Sequence, residues 1–401
     1  MDSFSSDDVT SLMTPMHHGN MTISMDMLGN ISATTAATVV ERAPSQDLIS
    51  YMYRFLTPVI IAIGLCGNTL SLIVFMRTRL RRQSSSVYLA ALCIADSAFL
   101  LQLTAAWLGY VRVFIYHKQG FCQAFVYTGH VSAFLSVWFV VAFTLERYIV
   151  CVYPLSKKHI CTVQRAKLIV IGCSVVAALL YSYLLLTSEP VQVRGSTKPR
   201  CFTKTEYMSF TLIMGNLDTL LTLLIPSILI VFMNARIIVV LAKSSKFQSK
   251  MPQAQSDAQS IPLCTRTLSD TPSESKSTKS GSRKSATGGA GASPSSQQQR
   301  ITKMLVTISS VFLLLNGPNH VIKIYLILVS YVKSEQHAYV ISQRIGYWQH
   351  GFLFLYHINF AINFFLYSLC GRNFRNEIKA LFCRAKRDRT AVVSQYTHSG
   401  Y

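Results

Sequence analysis

Seven stretches of this chain are almost wholly apolar over about 20 residues or more, the length a helix needs to cross a hydrocarbon layer of about 30 Å. They lie at approximately 51–76, 86–111, 120–150, 166–187, 208–235, 303–331 and 346–369. The pattern predicts an all-α membrane protein, a bundle of seven transmembrane helices over 51–371. After the last span, GRNFRNEIKALFC is basic and amphipathic, which predicts a short eighth helix at the start of a tail, 372–401. Between the fourth and fifth spans, SEPVQVRGSTKPRCFTKTEY alternates apolar and polar around Arg194, Gly195 and Ser196, as a hairpin does.

Seven is odd, so the two ends lie on opposite sides, and the Lys and Arg distribution decides which is which. With the amino terminus outside, the inner segments hold 26 of the 38 Lys and Arg: four in 77–85, four in 154–167, eleven in 236–303 and seven in 371–401. Nearly all of the formal net charge of +21 then lies on the cytoplasmic face. The basic excess is therefore a mark of topology and of anionic membrane lipids, and nucleic acid is not an expected partner. The chain is half apolar and only 14% charged, too apolar for an ordinary soluble protein.

The acidic residues 1–50 carry the sequons Asn20-Met21-Thr22 and Asn30-Ile31-Ser32, so an extracellular, glycosylated, disordered tail is expected there. MDSFSSDDVT lacks the basic start and apolar stretch of a cleaved signal, which leaves insertion to the first span. Residues 243–299 are rich in Ser, Thr, Gln, Gly and Lys, a composition that cannot bury a core, and predict a disordered third cytoplasmic loop. Its hydroxyls suit regulatory phosphorylation; a passive tether is the alternative. Of ten cysteines, this topology leaves only Cys122 and Cys201 in oxidising surroundings, where they can pair with each other. Cys383, past the amphipathic stretch, is a palmitoylation candidate.

Charge inside the spans is scarce, so each instance calls for a reason. Glu146 and Arg147 follow Cys122 by 24 and 25 residues, roughly 36 to 38 Å of helix, and so fall at the inner boundary. Alone, the arginine could simply snorkel to headgroups. Asp96 is a carboxylate near mid-membrane that must be paired, protonated or bound to an ion.

These features do not stand alone. Glu146-Arg147-Tyr148, Gly67-Asn68 in the first span, Leu92 to Asp96 in the second, Cys122 with Cys201, Pro226, Pro318, and Asn363-Phe364-Phe365-Leu366-Tyr367 in the seventh together resemble the rhodopsin-like G-protein-coupled receptors over about 50–383. The resemblance implies that Arg147 is the switch toward a heterotrimeric G protein and Glu146 its resting counter-ion, with Tyr148, Leu155, Asn363 and Tyr367 completing that machinery. It implies an allosteric sodium ion at Asp96, Ser136, Asn359 and Asn363; a polar network without an ion is the alternative. Receptor kinases, arrestin and membrane lipids are further partners it brings. The chain departs from the family at Phe364, where proline is usual, at Asn316, where a toggle tryptophan is usual, and at Asn234, where tyrosine is common. The fourth span lacks its typical tryptophan, and QQQRITKM at the start of the sixth offers Arg147 no acid.

The ligand is narrowed by exclusion. The seventh span has no lysine for a retinal Schiff base, and Gly129 stands where the amine receptors of this family have an aspartate. The outer half offers Gln102, Arg112, His130, Asp218, Asn319, His320 and Lys323 as a polar ligand pocket. Asp218 needs a partner there: Lys323, a histidine, or a ligand. INFFLY with GRNFRNE, and ITKMLVTISSVFLLLNGP, are most similar to invertebrate neuropeptide receptors of the FMRFamide and CNMamide type. The expectation is a multi-pass receptor of the plasma membrane, not an enzyme, that binds an extracellular neuropeptide. A receptor for a lipid or other small non-peptide ligand is the rival on the same scaffold. A transporter would need ionisable groups strung through the membrane, and only Asp96, Asp218 and Lys323 lie clearly inside.

Overall fold

A computed structural model describes residues 44–192, 199–250, 294–332 and 335–383. The sequons at Asn20 and Asn30, the hairpin tip with Arg194, Gly195 and Ser196, residues 251–293 of the third connecting loop and the tail beyond 383 lie outside the described residues.

Helices dominate because in lipid each backbone polar group must be satisfied within its own segment. The bundle is built from α1 (Pro44–Arg77), α2 (Ser84–Leu108), α3 (Phe121–Val152) and α4 (Val163–Leu180). The fifth member, α5, runs as Met208–Thr219, a π-turn Leu220–Leu224 and Ile225–Lys250. It is followed by α6 (Pro294–Val332) and α7 (Glu335–Cys370). After a break at Gly371, residues 372–383 form α8. Among the described residues, six of these helices are long and apolar enough to cross a membrane. The other bundle member, α6, packs along α7 and against α5 and α3. Helices α1, α5 and α6 all extend past the expected apolar limits, to Pro44, Lys250 and Pro294. Beyond the hydrocarbon a helix needs only its own i to i−4 bonds, not an apolar face.

The core lies between α2, α3, α5, α6 and α7. Leu89, Leu92, Val140, Phe143, Ile230, Met233, Ile308, Phe312, Leu366 and Tyr367 fill the half nearer α8, and Ile61, Phe99, Leu100, Leu103 and Phe360 fill the other. The perimeter is as apolar as the core, with Leu168, Leu179, Ile213 and Leu314 outward and exposed, because its solvent is acyl chain rather than water.

Small residues decide how closely α1 meets α7. A Cβ on Gly67 would stand 2.8 Å from the Phe364 Cβ, and one on Gly64 would stand 2.9 Å from the Ala361 Cβ. Asn68, one turn along, donates through Nδ2 to the Phe360 carbonyl at 2.9 Å. Gly67→Ala forces these backbones apart and is expected to destabilise the solubilised protein by about 1–3 kcal/mol, read as a lower melting temperature; an unchanged melting temperature would contradict this packing.

The predicted hairpin is formed by β1 (Ser188–Gln192) and β2 (Pro199–Thr203), antiparallel with Pro190 opposite Cys201. A Cys122–Cys201 disulfide ties β2 to the first turn of α3, with Cα atoms 5.5 Å apart. The buried His117, from the turn before α3, accepts the Cys201 N–H at Nδ1 over 3.1 Å. That nitrogen must be bare to accept, so the imidazole is neutral with its proton on Nε2. Burial, helped by the Arg200 guanidinium, pushes its pKa down to about 4. A depressed histidine stabilises the fold fully above its unfolded pKa of about 6.5 and loses that contribution as pH falls through 4. Thermal stability is therefore expected to drop between pH 6.5 and 4, and to drop less in His117→Gln; equal pH profiles would refute the role.

Candidate functional site

At the α8 end of α3, Glu146 and Arg147 are both buried and joined by an Arg147 Nη2 to Glu146 Oε1 bridge of 2.9 Å. The same Oε1 accepts a hydrogen bond of 2.5 Å from Ser85 Oγ, in the first turn of α2. The guanidinium carbon sits 5.9 Å from the Phe143 ring centroid, and Nε is buried without a partner. The carboxylate is thus held from two helices while the arginine keeps unspent donors. Tyr148 packs edge-on to Tyr153 at 6.0 Å, and Leu155 is 91% exposed on the connection after α3. Tyr367 is fully buried, edge-on to Phe75 at 5.4 Å, with its hydroxyl unpartnered. Asn234 Nδ2 donates to Ser309 Oγ at 2.7 Å, joining α5 to α6 through two buried side chains. The exposed Cys383 ends α8.

Midway along the bundle, the fully buried Asp96 accepts from Ser136 Oγ at Oδ1 and from Asn363 Nδ2 at Oδ2, both at 2.6 Å. Asn359 is buried one turn before Asn363, and its carbonyl is 3.5 Å from Asn363 Nδ2. Carboxyl, hydroxyl and amide groups gathered at one buried point are the ligand types that suit a small hard cation. They also form a connected network across α2, α3 and α7.

Beneath the hairpin lies a cavity of ≈ 60 Å³ lined by Gln102, His130, Asp218, His320 and Lys323, together with Phe99, Tyr116 and Tyr356. That volume admits a few waters or one small end group. Each polar wall has a cause in the sequence. Gly129 lacks a side chain where the Gln102 amide crosses α3, and a Cβ there would be 3.1 Å from its Oε1. His130 Nδ1 lies 2.9 Å from the Val126 carbonyl, which can only accept, so the proton is on Nδ1 and Nε2 presents a lone pair. The Tyr181 hydroxyl donates to Asp218 Oδ1. The π-turn just after Asp218 is anchored from α3 by Trp138 Nε1 donating to the Leu221 carbonyl at 3.1 Å.

The polar set predicted from sequence is partly gathered here. Arg112 lies outside the cavity, exposed and left-handed (φ 63°) at the end of a 3-10 turn. Asn319 is fully buried on α6 with neither side-chain polar atom partnered, and does not line the cavity. Tyr181, Tyr116 and Tyr356 were not singled out from sequence, nor was Ser85. Tyrosine and serine are common on helices, and nothing local marks the one that meets a carboxylate on another helix.

The chain matches the family described as 7 transmembrane receptor (rhodopsin family) over residues 67–367. Among curated proteins it is similar to the thyrotropin-releasing hormone receptor of Gallus gallus, 30% identical over 135 residues, covering 32% of this chain and 33% of the relative. It is 24% identical over 225 residues to the cysteinyl leukotriene receptor 1 of Homo sapiens, covering 55% of this chain and 65% of the relative. The matched regions therefore span between a third and two thirds of these relatives' lengths.

Proposed function

Because the chain belongs to the rhodopsin family of seven-transmembrane receptors, whose members are receptors rather than enzymes, we propose that it binds an extracellular neuropeptide beneath the hairpin and activates a heterotrimeric G protein at the α8 end. It would lie in the plasma membrane with its amino terminus outside, glycosylated at Asn20 and Asn30 and palmitoylated at Cys383. The observation that carries this reading is the buried Glu146–Arg147 pair, a cation held inside the bundle where a change in helix packing can release it. In a partly dry crevice such a charge interacts more strongly than in water, so its release is a switch between two packings. Asn363 and Tyr367 link that end to the interior, and Leu155 offers an apolar contact for the G protein. Asp96, Ser136, Asn359 and Asn363 would hold a sodium ion, which supplies positive charge that favours the resting packing. Receptor kinases and arrestin would act on the same face.

Support for a peptide comes from the polar walls of the cavity and the hairpin of β1 and β2. A lipid or other small non-peptide ligand is the second reading, and the relative named for a cysteinyl leukotriene favours it. A screen of neuropeptides and of lipids, read as G-protein activation in cells displaying the full chain, separates the two. Responses to peptides alone uphold the proposal, and responses to lipids alone replace it with the second reading.

A further inference from the structure

We infer that Tyr181 holds Asp218 away from Lys323 at rest, and that transfer of this carboxylate from the tyrosine to the lysine draws α5 and α6 together at the hairpin end and starts activation. The inference rests on the receptor reading above and goes beyond it, in naming what the bundle does before Arg147 is released.

Two opposite charges face the same cavity, Asp218 from α5 and Lys323 from α6, and they are close enough to interact electrostatically. The pair is nevertheless unmade. Among the described residues the salt bridge within 4 Å is Glu146–Arg147, and Lys323 has neither a hydrogen bond nor an ion pair. An ammonium walled in by protein without an anion is an arrangement that a small movement improves.

The competitor for the carboxylate is Tyr181, whose hydroxyl donates to Asp218 Oδ1. Its buried ring is fixed in place, 5.8 Å from Phe134 and 5.7 Å from His130 between centroids. Asp218 is the partner that can move. It stands just before the π-turn Leu220–Leu224, and an irregularity in the helical ladder is a place where the segment before it can turn while the rest of α5 keeps its register. A neutral phenol holds the carboxylate by one hydrogen bond, whereas an ammonium adds its charge.

Both helices carry a proline between this pair and a second contact. Asp218 and Asn234 lie eight residues on either side of Pro226, and Pro318 lies between Ser309 and Lys323. The second contact is the one made at rest, Asn234 Nδ2 to Ser309 Oγ at 2.7 Å. With each helix bending at its proline, closing the hairpin end works against that bond in the half where Arg147 lies.

Tyr181→Phe deletes the hydroxyl and keeps the ring. Ligand-independent G-protein activation by the full chain, per receptor at the cell surface, should rise several-fold, and adding Lys323→Gln should cancel the rise because the gain depends on the new bridge. A hydroxyl that merely stabilised the fold would lower expression, with no dependence on Lys323. A second readout needs no G protein: spin-labelled residues at Leu217 and Val321, both exposed, in purified full chain in lipid nanodiscs. Tyr181→Phe should shift the distance between them to shorter values, and Lys323→Gln should restore it. A rise that survives Lys323→Gln overturns the inference, as does an unchanged distance in Tyr181→Phe. Where the unaltered chain activates a G protein, the absence of a rise in Tyr181→Phe overturns it too. Shortening without activation of any G protein upholds the exchange and contradicts the receptor reading instead.

Discussion

Arg147→Ala is expected to abolish G-protein activation by the full chain, by 100-fold or more, while ligand binding beneath the hairpin stays within a few-fold of normal. The two ends act at a distance: Gly129, in the wall of the cavity, and Arg147 are separated by roughly 27 Å of α3. Removing the guanidinium therefore leaves the cavity walls in place. It does leave Glu146 buried with Ser85 as its remaining side-chain donor, and an uncompensated buried charge costs about 3–5 kcal/mol. Surface expression should fall, so activation is compared per receptor bound by ligand at the cell surface. Arg147→Lys keeps the charge but loses the planar fork, and should retain part of the coupling. Full activation by Arg147→Ala would remove this residue from the switch.

Cys201→Ser has the largest expected effect on stability. The disulfide spans 79 residues, and closing a loop of that size stabilises the fold by about 4.5 kcal/mol on the chain-entropy estimate. The hairpin would lose its covalent tie to α3, leaving the Cys201 N–H bond to His117 as an anchor. Surface expression and thermal stability should both collapse, Cys122→Ser should match it, and the double variant should be no worse than either single. A Cys201→Ser chain of normal stability would show that β2 is held by other contacts.

Much of this architecture is legible along the sequence because lipid imposes a simple rule. Twenty apolar residues can satisfy their backbone only as a helix, so seven spans and the charge-poor interior can be read directly. The hairpin and the Cys122–Cys201 bond follow from alternation and from compartment. What could not be read is lateral pairing. Asp218 visibly needed a partner, yet the partner is Tyr181, in the turn just past the end of α4 at Leu180. The π-turn at Leu220–Leu224 leaves no mark in a run of leucines. Ser85 looked like one serine of three at the start of α2, and Asn234 like a departure from a family pattern. Each became specific only when two helices were set side by side.

The most direct test of the switch needs no ligand. Purified full chain in lipid nanodiscs would be mixed with a heterotrimeric G protein and nucleotide exchange followed, for the unaltered chain, Glu146→Gln and Arg147→Ala. Weakening the counter-ion should release the arginine, so Glu146→Gln is expected to exchange faster than the unaltered chain, and Arg147→Ala to fall to the rate of the G protein alone. Exchange that is the same in all three would contradict the account at its centre.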